Sequence, residues 1–281
     1  MSSWAKCFKG NCKVIGFRWA FLASGVIAGC VTVTPPPCQP ALPDDATASL
    51  LNQWSERCSD LDRLRFKGQI QLEWEDDQDG RQTSHKEQGD MELLLDGASR
   101  GSLRITKFGD VKYWLGMTPK RYWEFDLMSD PTRLRVRQPS VNDGGLLTSP
   151  ELLRMLLALD PWPEGAKVQQ RGSNLHISGT AFDGTFEATV RRSDLRVERV
   201  EVDLGDRGQF IGVHRWTTGA TTIDNTASAR QLAKTIDLHV PDSMIKLQVV
   251  TATALSAEAL KPLADVWFDL DRIQTHLRPD V

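Results

Sequence analysis

The sequence predicts a mainly β (α+β) fold: a large curled antiparallel sheet, in effect an unclosed β-barrel of about eleven strands, with an N-terminal helix and an inserted apolar lid helix. Three observations predict it. Apolar and polar side chains alternate with a period of two through most of residues 66–249, as half-buried strands require. The connections between these runs are short, which favours hairpins over βαβ units. Helical spacing is confined to a few short segments, too few to cover so many strands in flat layers, so the sheet must curl around them.

In chain order, Leu50, Leu51, Trp54, Cys58, Leu61 and Leu64 recur at steps of three and four, with acids at the start, and predict the first helix. Phe66, Gly68, Ile70, Leu72 and Trp74 then alternate with polar neighbours and lead into an acidic turn at Asp79-Gly80. Met91, Leu93 and Leu95 continue the alternation. Leu103 and Ile105 pair in pattern with Val111, Tyr113, Leu115 and Met117 across a Lys107–Asp110 turn; Trp123, Phe125 and Leu127, then Leu134 and Val136, add two more strands. Ser149-Pro150-Glu151 is helix-start chemistry, and it opens the almost wholly apolar Leu152–Leu159 segment, closed by Asp160-Pro161. A helix apolar on nearly every side must be covered on more than one. Strands resume around Leu175, Phe186, Val197 and Phe210–Trp216, followed by Ile236–Val240 and Ile245–Val249. Residues 256–265 predict a short helical turn before a last strand, Val266 to Leu270.

The N-terminus carries a different message. Lys6, Lys9, Lys13 and Arg18 precede an eleven-residue, mostly apolar stretch, Trp19 to Gly29, with no acid among the first 29 residues. Eleven helical residues rise about 16 Å, roughly half a bilayer core, so the stretch reads as the hydrophobic part of an export signal. It ends in Ile27-Ala28-Gly29-Cys30, which resembles the bacterial lipobox. That resemblance implies cleavage between Gly29 and Cys30 and a covalent lipid on Cys30; the alternative is a plain secretory signal in which Cys30 is incidental. The predicted organisation is a signal peptide at 1–29, a lipidated Cys30 with a proline-rich tether to residue 43, and a half-barrel at 44–281. Cleavage would leave 30 basic against 37 acidic residues, a net charge of −7, which argues against nucleic acid as a partner. Cys38 and Cys58 are then the remaining thiols. They form a disulfide in an oxidising compartment, or else Cys58 lies in the core and Cys38 is a free linker thiol.

No catalytic machinery is predicted. His85, His176, His214, His239 and His276 lack metal-ligand spacing, no G-x-S-x-G elbow occurs, and Glu75-Asp76-Asp77 reads as a solvated turn. No metal or cofactor is expected beyond the lipid on Cys30. Trp74, Leu93, Leu115, Phe125, Leu152 and Leu156 read either as plain core or as the lining of an apolar cavity.

The order of lipobox, tether, helix, meander, mid-chain apolar helix and further strands resembles the LolA/LolB-like lipoprotein-carrier superfamily over roughly residues 44–272. Leu103 to Leu115 (LRITKFGDVKYWL) is similar to its strand–loop–strand in which an apolar residue precedes glycine at the loop tip, here Phe108-Gly109. Leu263 to Leu270 (LADVWFDL) resembles its closing stretch. Residues 216–233 have no clear counterpart. The resemblance implies an unclosed barrel whose apolar cavity receives acyl chains, and a role for Phe108-Gly109 at membrane or cargo. It also implies membrane attachment through the N-terminal lipid, lipids or lipoproteins as cargo, and a periplasmic carrier as a partner. The outer membrane, facing the periplasm, is the expected place. The alternative is an envelope-assembly lipoprotein whose barrel is filled by its own side chains and whose surface binds proteins.

Overall fold

The computed structural model describes residues 43–78, 81–128, 132–138, 149–226, 230–241 and 243–277. The first helix, α1 (Asp44–Cys58), buries Trp54 and Cys58, one turn apart. It leads into β1 (Arg63–Gln78) and β2 (Arg81–Asp96), which pair in register from Arg63–Asp96 to Gln78–Arg81. Then follow β3 (Arg100–Lys107), β4 (Asp110–Met117), β5 (Tyr122–Asp126) and β6 (Arg133–Arg137). After α2 (Pro150–Leu156) come β7 (Lys167–Arg171), β8 (Asn174–Ala181), β9 (Gly184–Arg191) and β10 (Arg196–Asp203). The chain ends with β11 (Gln209–Asp224), β12 (Gln231–Val240), β13 (Ser243–Ala254), α3 (Ala257–Trp267) and α4 (Leu270–Leu277).

All thirteen strands belong to one sheet in the order β6-β5-β4-β3-β2-β1-β13-β12-β11-β10-β9-β8-β7. Neighbours are antiparallel hairpins except at the centre, where β1 meets β13 from Leu64–Ala254 to Trp74–Ser243. The two edges, β6 and β7, do not pair with each other, so the sheet is not closed. They are successive strands in the chain, and α2 lies on the connection between them. The far end of β11 also runs parallel to β13 at Ile223–Ala252, beyond the start of β12. Within the 216–233 segment, residues up to Asp224 thus continue β11, and β12 begins at Gln231.

The thirteen strands exceed the expected eleven, and two local expectations change. β7 is an added edge strand whose one buried apolar residue, Val168, gives little alternation to read. The strand expected at Val266–Leu270 is instead the junction of α3 and α4: Trp267, Leu270 and Ile273 are buried at three-residue steps, whereas Val266 is exposed. The inserted helix ends at Leu156, two residues before Ala158 takes a positive φ of 55°. Its start follows the expected chemistry, with the Ser149 side chain accepting from the Leu152 N–H at 3.2 Å.

The sheet has an apolar core on each face. The larger one gathers Phe66, Leu93, Leu115, Val200, Ile236 and Leu247 around α2. On the opposite face Leu94, Trp114, Trp123 and Phe125 pack under Leu260, Trp267, Leu270 and Ile273 of α3 and α4. Among the described residues, no helix is long and apolar enough to cross a membrane.

Candidate functional site

The site is built where the sheet wraps α2. Leu152, Leu153, Met155 and Leu156 are all buried in the larger core, so the helix is enclosed. Two glycines make its seat. A Cβ on Gly101 of β3 would stand 3.2 Å from Pro150 Cγ, and one on Gly212 of β11 would stand 2.5 Å from the Leu156 carbonyl oxygen. Only glycine lets the sheet approach this closely at the C-terminal end of the helix.

Arg154 holds the helix from its third side. It is buried and donates from Nε to Asp160 Oδ1 at 2.7 Å, from Nη1 to the Asp62 carbonyl at 3.2 Å and from Nη2 to the Leu61 carbonyl at 3.0 Å. The α1 helix adds a cover: Trp54 Nε1 donates to the Asp160 carbonyl at 2.9 Å, and its ring stacks on Trp162 at 5.2 Å.

Of the six residues read as cavity lining or core, Trp74, Leu93, Leu115, Leu152 and Leu156 share this larger core. Phe125 does not join them. It lies in the second core, under α3 and α4, because it shares its side of the sheet with its β4 partner Trp114.

The β3–β4 connection is a two-residue turn. Phe108 (φ 57°) and Gly109 (φ 87°) both occupy the left-handed region, and Phe108 is 92% exposed. Such a turn matches the twist of a hairpin and favours Asn-Gly; phenylalanine there is both strained and unburied. Its flanks are neutralised locally, with Lys107 to Glu87 and Lys112 to Asp110 each at 3.2 Å. The ring therefore does not fold back on Trp114, which is buried on the far face.

No family model and no curated protein matches the chain. Solved structures are similar to it at low identity. A LolA superfamily protein from Nitrosomonas europaea is 10% identical, covering 74% of this chain and 94% of its own, with a TM-score of 0.42. A DUF1329 family protein from Desulfovibrio piger is 8% identical, covering 79% and 97%, with a TM-score of 0.44. A putative outer membrane lipoprotein-sorting protein domain from Vibrio parahaemolyticus is 10% identical, covering 78% and 96%, with a TM-score of 0.42. The first of these carries the name of the superfamily that the sequence pattern resembles.

Gly29, Cys30 and Cys38 lie outside the described residues. Cys58 is buried in the larger core, with its thiol accepting from Arg230 Nη1 at 3.1 Å; burial pushes its pKa up despite that guanidinium. Sequence reasoning missed Arg154 and the two seat glycines. A lone arginine inside Leu152–Leu159 is the signal for the first, since a charge in an apolar helix needs partners. Nothing local marks the glycines, whose role depends on a helix distant in sequence.

Proposed function

We propose that this chain is exported on residues 1–29, anchored by an acylated Cys30 with residues 30–43 as tether, and works in the cell envelope as a binding protein for acyl chains. In this reading it faces the periplasm from the outer membrane and passes lipid or acylated protein, taken from a periplasmic carrier, to the bilayer. The observation that carries the reading is Phe108, an exposed phenylalanine held in a strained turn where it contributes nothing to the core. An apolar residue so placed gains free energy only by leaving water against a membrane or cargo.

The energetics of α2 fit an exchange. Exposing its four apolar side chains to water would cost on the order of 10 kcal/mol. A fourteen-carbon chain taking their place would recover about the same, at about 0.8 kcal/mol per CH₂. The helix therefore stays in its seat when empty and yields only to apolar cargo. Binding, with no chemical step, is sufficient for this role.

The test is saturable binding of a fluorescent fatty-acid analogue by the chain lacking residues 1–42, together with transfer of the analogue to vesicles. Phe108→Glu is expected to bind the analogue as the parent does and to deliver it poorly. A second reading, a filled barrel acting through surface contacts, is favoured by the fourfold anchorage of Arg154 and Trp54 to the segments around α2. A folded chain with no saturable binding would select it.

A further inference from the structure

A cavity lies away from the Phe108 turn. That turn sits at the end of the sheet where β1 pairs Trp74 with Ser243 of β13. The cavity, of about 290 Å³, opens at the other end, near the Leu64–Ala254 pair, between α1, the close of α2, the β9–β10 turn and the starts of β10 and β12. Its walls include Trp54, Leu157, Val197, Trp216 and Leu232, and its charged groups are Arg57, Arg196, Arg230 and Asp194.

The charge balance is unequal. Asp194 is already shared by Arg196 at 3.3 Å and by Arg191 at 3.6 Å. Arg57 donates to the carbonyls of Asp194 and Leu195 at 3.3 and 3.5 Å. Arg230 donates to the carbonyls of Arg57, at 3.0 Å, and Ala158, as well as to Cys58 Sγ. Neither Arg57 nor Arg230 has a carboxylate within ion-pair reach among the described residues, so two guanidinium charges stand uncompensated at the cavity. Two of the three guanidiniums are backed by an indole: Arg230 lies 5.0 Å from the Trp54 ring centre and Arg196 4.7 Å from that of Trp216. Stacking fixes the guanidinium planes; Arg196 also donates from Nη2 to Gln231 Oε1 at 3.0 Å, and each of the three guanidiniums, with five N–H donors, keeps some beyond these bonds to meet an oxyanion.

His214 stands on the same wall. Its Nε2 is 3.0 Å from the Leu156 carbonyl, an acceptor, so Nε2 carries the proton and donates. Nδ1 is then a buried acceptor with no donor among the described residues.

We propose that this cavity binds a small organic oxyanion, a phosphate or carboxylate on a compact apolar body, held by Arg57, Arg196 and Arg230 between the Trp54 and Trp216 rings. The volume corresponds to about ten water molecules, which suits a small anion or a lipid headgroup but not a whole acylated cargo. The site shares Leu157 and Ala158, at the close of α2, with the segment proposed to move above, but its anion binding does not rest on that exchange.

The test uses the full-length chain and phenyl phosphate, followed by calorimetry and tryptophan fluorescence. Saturable binding is expected, weakened at least tenfold in the Arg57→Gln/Arg196→Gln double variant at an unchanged melting temperature. Arg230→Gln serves as a second variant, because Arg230 also ties three segments and can lose stability. Competition by inorganic phosphate identifies a free anion as the natural class. Competition only by vesicles containing phosphatidylglycerol, and not by phosphatidylcholine vesicles, identifies a lipid headgroup. Absence of saturable phenyl phosphate binding overturns the proposal, as does equal binding by the double variant or equal binding of uncharged phenol.

Discussion

Replacing Phe108 with asparagine separates stability from membrane contact, because the two should move in opposite directions. The residue has φ 57° in a two-residue hairpin turn, followed by Gly109 at 87°, and is 92% exposed. A left-handed conformation costs a residue with an ordinary side chain roughly 1 kcal/mol, a cost that asparagine largely escapes through local hydrogen bonding. Nothing is lost from the core. Phe108→Asn should therefore stabilise the protein by about 1 kcal/mol, or about 2–4 °C in melting temperature for a domain of this size. Burying a phenylalanine ring is worth about 1.5–3 kcal/mol, so affinity for vesicles should fall roughly tenfold to a hundredfold. Scanning calorimetry and vesicle flotation of the chain lacking residues 1–42 measure both. A lower melting temperature with undiminished flotation would refute the reasoning, since Phe108 would then be serving the fold.

Three further outcomes are expected. Cys30→Ser should abolish metabolic labelling by a clickable fatty acid, and label persisting in the variant would exclude Cys30 as the acylated residue. Burial, reinforced by Arg230 and only partly offset by the hydrogen bond to Leu156, holds the His214 pKa down to about 4. The unfolded chain binds that proton below about pH 6.5 and the folded chain does not, so stability should drop as pH falls from 6.5 to 4, by about 3 kcal/mol from this group. Urea titrations at pH 7 and 4.5 should show a smaller acid loss in His214→Gln than in the parent; parallel losses would contradict the buried neutral imidazole. Arg154→Leu strips the buried cation from Asp160 and orphans the Leu61 and Asp62 carbonyls, which should cost about 3 kcal/mol in urea denaturation.

The sequence declares most strands because their two faces meet different surroundings. In β1, Phe66, Ile70, Leu72 and Trp74 are buried while Lys67, Gln69 and Glu75 are exposed, and alternation reports that contrast directly. β5 shows the limit. All five residues from Tyr122 to Asp126 are buried, so no contrast remains to tell the α2 face from the α3–α4 face, and Phe125 reads as facing either. What decides is a cover more than 130 residues later in the chain. The same distance hides the end of the fold: the apolar cluster at Val266–Leu270 suits strand or helix spacing alike, and only packing on Trp114 and Trp123 selects the helix. α2 was legible because its cap, first proline and first acid are local. The arginine-rich end cavity was not, since Arg57, Arg196 and Arg230 are scattered over the chain and meet only where α1 packs beside the starts of β10 and β12.

The seat of α2 sets the curvature of the whole sheet. Gly101 and Gly212 touch opposite ends of one short helix, Pro150 to Leu156, whose axis rises only about 9 Å. Measured along the sheet, β3 and β11 are separated by β2, β1, β13 and β12, a path of about 24 Å at the usual strand spacing. A chord so much shorter than its arc forces the central strands into a tight bow, with the helix as the string. Lengthening the string by one turn, or padding either glycine, would flatten the bow and widen the space between the limbs.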